Sequence, residues 1–159
     1  MTKVISYSDP MLDLWERFMR TRNLMYKVFV RDLRTLGLKP EQLGILNIVS
    51  KAGNNITPAA ISRIYRREPH TVSVNLNRMR QKGLLNLGKD LYAKNMIRVE
   101  LTEYGAYVLE EGLKRKDGVS RLFASFKPEE LAQIDQFILR LDSSAEKILK
   151  EHDITASAR

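Results

Sequence analysis

Cysteine is absent from the 159 residues, which removes disulfides, thiolate zinc sites and cysteine-based redox chemistry together. The only histidines, His70 and His152, are far apart in the chain, and neither sits in a metal-ligand spacing. No Gly-rich phosphate loop and no Gly-x-Ser-x-Gly elbow occurs. Ser73 follows His70 by three positions, but no acidic orienter stands near them, so no catalytic triad is expected. The chain therefore does not read as an enzyme, and it calls for no cofactor or metal. Long apolar runs are missing too: none reaches the roughly 18 residues of a membrane-spanning helix. The opening MTKVISYSDP lacks a charged segment followed by an apolar one, so no secretory leader is expected and a cytoplasmic location fits. Internal repeats and low-complexity segments are likewise absent.

What is present is positive charge. Twenty-seven Lys and Arg against nineteen Asp and Glu give a net charge of +8 and a pI near 9.8. The excess is uneven. Residues 61–100 hold nine basic and three acidic side chains, whereas residues 101–159 hold nine basic and eleven acidic. A basic centre between balanced ends suits a polyanion, either nucleic acid or an anionic membrane face. At 43% hydrophobic residues the chain can still build a core, and its length suits one domain or a domain with an appended extension.

Hydrophobic spacing orders the elements. Met11, Trp15, Phe18, Met25, Phe29, Leu33 and Leu36 recur at helical intervals from Pro10 to about Leu36, where Gly37 ends a long amphipathic helix. A second helix starts near Pro40, turns Leu43, Leu46 and Val49 inward, and closes at Gly53. NNIT is a turn or one short strand. Thr57 then caps a short helix from Pro58 to about Tyr65 with Ile61 buried. Pro69 opens the next helix, and Val72, Leu76 and Met79 point inward until Gly83 stops it. LLNLGKD and NMIRVELT read as strands, with Ile97, Val99 and Leu101 on one face and Arg98 on the other. The polar loop between them carries Lys89 and Lys94 near its tip. Thr102 caps a further helix, bent near Gly112 or Gly118, and Pro128 opens the last one. In that last helix Leu131, Ile134, Ile138, Leu141, Ala145 and Ile148 form a regular seam of the kind that pairs with another helix. The tail after His152 reads as frayed.

The helix after Pro69 has an unusual outward face. His70, Val74, Asn77, Arg78 and Gln81 lie opposite its buried stripe, with Thr71 and Ser73 on the flanks. A surface that needed only solubility would carry Glu and Lys there. A short helix, a tight turn, this helix and a basic-tipped hairpin together make a winged helix-turn-helix. An α-helix of that kind fits the major groove of double-stranded DNA. Arg78 suits a bidentate pair with guanine, Asn77 one with adenine, and Val74 a thymine methyl. The basic hairpin side chains, Lys89, Lys94 and Arg98, suit phosphate or the minor groove. The helix start leaves backbone N–H groups at Thr71 and Val72 as a phosphate seat.

Residues ITPAAISRIYRREPHTVSVNLNRMRQKGLL resemble the helix-turn-helix of the MarR (multiple antibiotic resistance regulator) family, whose pattern runs close to LTxxELAxxLGxSPxTVSRxVxxLExKGLV. Ile56-Thr57, Ile61, Tyr65, Pro69, Thr71-Val72-Ser73, Leu76 and Lys82-Gly83-Leu84 match in kind without a gap. LTEYG at 101–105 is similar to the family's strand-to-helix junction, and KPEEL at 127–131 suits the start of its last helix. The resemblance implies a mainly α fold: two helices, a short strand, two helices, a strand, the wing, a strand and two final helices. It also implies that residues 1–36 and 118–159 form a dimerisation region around a DNA-binding lobe at 37–117. A homodimer on a palindromic operator, often released by a small phenolic or aromatic ligand, is the corresponding function. Two positions depart from the pattern. Arg66 stands where the family has its turn glycine, which either alters the turn or adds a phosphate contact. Tyr92-Ala93-Lys94 stands where the wing carries Asp-x-Arg, and Lys94 lacks the bidentate guanidinium geometry.

Blander readings exist for each feature. The 70–78 face is alternatively a solvated helix surface, Lys89 and Lys94 a solubilising loop, and Lys114-Arg115-Lys116 a solvated run. Trp15, Met19 and Met25 read as core more readily than as pocket lining. The competing function is a winged helix used for protein assembly without specific DNA binding.

Overall fold

The computed structural model describes residues 7–53, 55–89 and 96–157, and divides into two compact units at Val119–Ser120. The first helix, α1, spans Pro10–Leu33. Pro10 presets its first turn, and the Asp9 carboxylate accepts from Met11 N at 2.8 Å and Leu12 N at 3.0 Å. Its last turn tightens into a 3₁₀ turn at Arg34–Leu36 rather than continuing as α-helix, and Gly37 at φ 62° closes it. Helix α2, Pro40–Lys51, starts where Gln42 Oε1 accepts Lys39 N–H at 3.2 Å. Leu43, Leu46 and Val49 are buried as their spacing implies, and Ile45 joins them. A single stripe would have left Ile45 outside. Because α2 lies against α1, α3, α5 and the hairpin, more than one of its faces is covered.

Helix α3, Pro58–Tyr65, is capped by Thr57, whose hydroxyl accepts Ala60 N–H at 3.2 Å. Helix α4, Pro69–Gln81, buries Val72, Leu76 and Met79, and Gly83 at φ 71° ends it. There Leu84 N donates back to Met79 O at 3.0 Å, satisfying an end carbonyl. Strands β1, Leu85–Lys89, and β2, Ile97–Leu101, pair antiparallel with Leu85 opposite Leu101 and Lys89 opposite Ile97. The expected early strand is reduced to one bridge, in which Val99 N donates to Ile56 O at 2.8 Å. Val99 is buried in the core, but Ile97, on the same face of β2, is 46% exposed.

The long helix expected after Thr102 is two. Helix α5 is Glu103–Lys114 and α6 is Asp117–Phe123, so the break falls at Arg115 and Lys116, between Gly112 and Gly118. Neither glycine is the site of the bend. Gly112 is pressed against Leu43, where a Cβ would come within 2.5 Å of Cδ1. Gly118 N–H is held at 2.9 Å by Asp32 of α1, which fixes the start of α6. Within the first unit, Leu33, Leu46, Val49, Ile61, Val72, Leu76, Met79, Leu85 and Val99 form a continuous core. Each such side chain contributes about 1.5–3 kcal/mol on burial.

In the second unit, helix α7 runs Pro128–Ser157 and so continues beyond His152, where the sequence suggested fraying. Leu131 and Ile134 of its seam are half-buried, while Ile138, Leu141 and Ile148 are exposed. The N-terminal half of α1 is similar. Met11, Trp15 and Phe18 are exposed, Trp15 by 61%, so Trp15 is not core within one chain.

Candidate nucleic-acid interface

A left-handed residue sets up the site. Arg66 caps α3 at φ 50° and ψ 49°, and is the one non-glycine residue with positive φ among the described residues. That conformation costs about 1–2 kcal/mol for a residue with a Cβ. It turns the chain within three residues so that Pro69 starts α4. Ser62, almost fully buried, locks the turn by donating to Arg67 O while Arg67 N donates to Ser62 O at 3.1 Å. The turn is thus kept with an arginine at its glycine position.

Helix α4 then presents its outward face. His70, Thr71, Ser73, Asn77, Arg78 and Gln81 are exposed, and the exposed Arg66 precedes them. Val74 is half-buried rather than exposed. The backbone seat at the helix start is one residue earlier than its sequence position suggested. Val72 N already donates to Glu68 O at 3.1 Å, so the N–H groups ahead of the first intrahelical bond are those of His70 and Thr71. Glu68 makes no side-chain cap to them, and no acidic residue lies in the first turn. Arg63, Arg67 and Arg80 are exposed nearby and carry the same sign of charge.

Lys89 ends β1 opposite Ile97, with its side chain outside what is described, and Arg98 is half-buried in β2 opposite Gly88. Tyr92, Ala93 and Lys94 lie outside the described residues, and the expected wing-tip contact with them. Arg66 through Arg78 are therefore brought together on one turn and one helix, while Arg98 sits apart on the sheet.

Two clefts flank α4, and they join Thr71, Arg78 and Gln81 to residues the sequence did not single out. One, of about 330 Å³, is lined by Lys39, Gln42, Asn75, Arg78, Gln81 and Lys82. The other, of about 240 Å³, includes Tyr26, Glu41, Tyr65, Arg67, Thr71 and Asn75. In the second, Tyr26 OH donates to Glu41 Oε2 at 2.8 Å. Burial, and then the Glu41 carboxylate, raise both Tyr26 and Tyr65 above the ordinary phenol pKa. Asn75 lies four residues after Thr71 and three before Arg78, so helical spacing alone puts it between the two clefts. Among the described residues no cluster of His, Asp or Glu is placed to hold a metal ion, and no helix is long and apolar enough to cross a membrane.

Residues 36–90, which contain this turn and helix, match the MarR family model. The match covers α2, the helix-turn-helix and the first hairpin strand. The fold of the MarR transcriptional regulators extends over most of the chain as well. The organohalide-sensing RdhR regulator in its 2,4-dichlorophenol-bound form superposes with a TM-score of 0.81 at 24% identity, covering 91% of this chain and 88% of that one. A mutant MarR from E. coli complexed with operator DNA gives a TM-score of 0.77 at 18% identity, covering 84% and 99%. AbsC, a MarR family transcriptional regulator from Streptomyces coelicolor, gives 0.77 at 17% identity, covering 90% and 99%. No curated protein matches the chain by sequence. Identities this low establish the MarR fold and leave the chemistry of the face to its own residues.

Proposed function

We propose that this protein is a sequence-specific, double-stranded-DNA-binding transcriptional repressor that acts as a homodimer on a palindromic operator. The observation that carries the reading is the outward face of α4, where short polar side chains and Arg78 cluster on a helix locked to the core by its other side. Such a helix fits the major groove. Arg78 pairs with guanine, Asn77 with adenine, and Val74 meets a thymine methyl. His70, Thr71 and Ser73 reach base edges or phosphate near the helix start, and Arg66 contacts the backbone. Lys89, Lys94 and Arg98 supply the hairpin's contacts.

The homodimer reading rests on apolar side chains left uncovered within one chain. Met11, Leu14, Trp15 and Phe18 of α1 and Ile138, Leu141, Ile148 and Leu149 of α7 are all exposed. Helices that apolar demand a second copy. Residues 1–36 and 118–159 are accordingly the dimerisation region, and 37–117 the DNA-binding lobe. A small aromatic or phenolic effector follows from RdhR, which has been solved with 2,4-dichlorophenol. The protein works in the cytoplasm, away from membranes.

Titration against duplex DNA at several salt concentrations tests the reading. Six or more phosphate contacts lower affinity roughly 10³-fold or more between 50 and 200 mM salt. An affinity that barely changes would overturn it. On a mapped operator, Arg78→Ala relaxes preference at one base position by about 1–3 kcal/mol. An equal loss over all sequences counts against direct readout by Arg78.

A further inference from the structure

The cleft between the start of α2 and the end of α4 has a composition that solubility does not require. Lys39, Arg78 and Lys82 bring three cations to it, and Gln42, Asn75 and Gln81 bring three primary amides. No carboxylate is among its lining residues. Glu41 lines the adjoining cleft instead and accepts the Tyr26 hydroxyl there at 2.8 Å. Gln42 forms part of the wall although only 4% exposed, and its Oε1 accepts Lys39 N–H at 3.2 Å. Lys82 is held in place by donating to Gly37 O at 2.8 Å, which fixes one cation at the rim.

We propose that this cleft is an oxyanion site that takes a phosphoryl group. Ammonium and guanidinium groups supply charge-assisted donors, and the amides supply directional ones that complete the shell of a tetrahedral anion. At about 330 Å³ the cleft leaves room for whatever the phosphoryl group is attached to. That source is either a phosphodiester of bound duplex, reached from the Arg78 side, or a free phosphorylated metabolite. The duplex source rests on the DNA-binding reading above, whereas the free source does not.

The experiment uses the full chain, its Lys39→Gln variant and its Gln81→Glu variant, each first shown to melt like the wild type. Lys39 and Gln81 are exposed, so neither change empties the core. Inorganic phosphate is titrated at constant ionic strength with the side-chain amide signals of the glutamines and asparagines as readout. Duplex affinity is measured over a salt series in parallel. Saturable phosphate binding that weakens about tenfold in both variants supports a free anion. A salt slope reduced by about 0.9 in Lys39→Gln supports a backbone phosphate. If wild type and variants show neither effect while duplex binding stays steep in salt, the cleft proposal fails and the DNA reading stands. If the wild type ignores duplex altogether, the DNA reading fails and the phosphate titration alone decides the cleft.

Discussion

Replacing Gly105 with alanine sets two effects of opposite sign against each other. Gly105 is the third residue of α5, and in a free helix alanine there would be better by up to about 1 kcal/mol. The surroundings oppose it. A Cβ at 105 would lie 2.0 Å from the backbone oxygen of Leu84 and 2.9 Å from its carbonyl carbon. Ordinary C···O contacts begin near 3.3 Å, so the helix start must retreat by about 1 Å. Backbone cannot rotate away as a side chain end can. The same Leu84 oxygen accepts Thr102 N–H at 3.2 Å, and Thr102 in turn donates to Gly83 O at 2.6 Å. Retreat therefore strains the whole junction of α4, β1, β2 and α5. Loss of one enclosed hydrogen bond costs about 1–3 kcal/mol, and overpacking a further 1–3 kcal/mol. The net expectation is a destabilisation of about 2–4 kcal/mol and a melting temperature lower by roughly 10 °C. Urea unfolding followed by circular dichroism, at fixed protein concentration, reads it directly. Gly112→Ala is the internal comparison. Its Cβ meets only the tip of Leu43 at 2.5 Å, so it should cost less. An alanine at 105 that unfolds at the same urea concentration as wild type, or a higher one, would refute the close-approach argument.

Arg66→Gly and Arg66→Ala both remove the side chain, but only glycine relaxes the left-handed turn; Gly should exceed Ala in stability by about 1 kcal/mol in matched urea melts. Equal stabilities would mean the turn is not strained. Tyr26 and Tyr65 both have a folded pKa above the ordinary phenol value, first through burial and then through Glu41. Their contribution is therefore complete below about pH 10 and lost as pH rises through the folded pKa. Melts from pH 8 upward should show a steeper alkaline decline in wild type than in Tyr65→Phe, and identical slopes would contradict the assignment. Trp15→Glu places a charge on the uncovered face of α1; sedimentation should show a shift from dimer toward monomer with the near-DNA fold intact by circular dichroism. An unchanged sedimentation coefficient would count against the proposed dimer contact on α1.

The helix-turn-helix was legible in the sequence because its signals are local. Thr57, Pro58, Pro69 and Gly83 punctuate the chain, and Val72, Leu76 and Met79 repeat at one period. The position of the break after α5 was not legible. It depends on Asp32, 86 residues earlier, reaching the N–H of Gly118, and no window of sequence contains both. Val74, placed on the outward face by the helix period, is half-buried, and Ile45, which that period did not pick out, is buried. Arg66 was conspicuous as a departure, but only backbone geometry shows that it adopts the conformation of the glycine it replaces. The α2–α4 cleft was the least visible feature, because Lys39 and Lys82 come together only after folding.

Thr102 connects more of the molecule than its size suggests. Its hydroxyl donates to Gly83 O at 2.6 Å, just past the end of α4, and accepts Gly105 N–H at 2.8 Å, inside the first turn of α5. One side chain thus closes one helix and opens the next across the root of the hairpin. The hairpin has no slack at its base. A load on the strands at this root therefore passes through Thr102 to the end of the helix that bears Asn77 and Arg78.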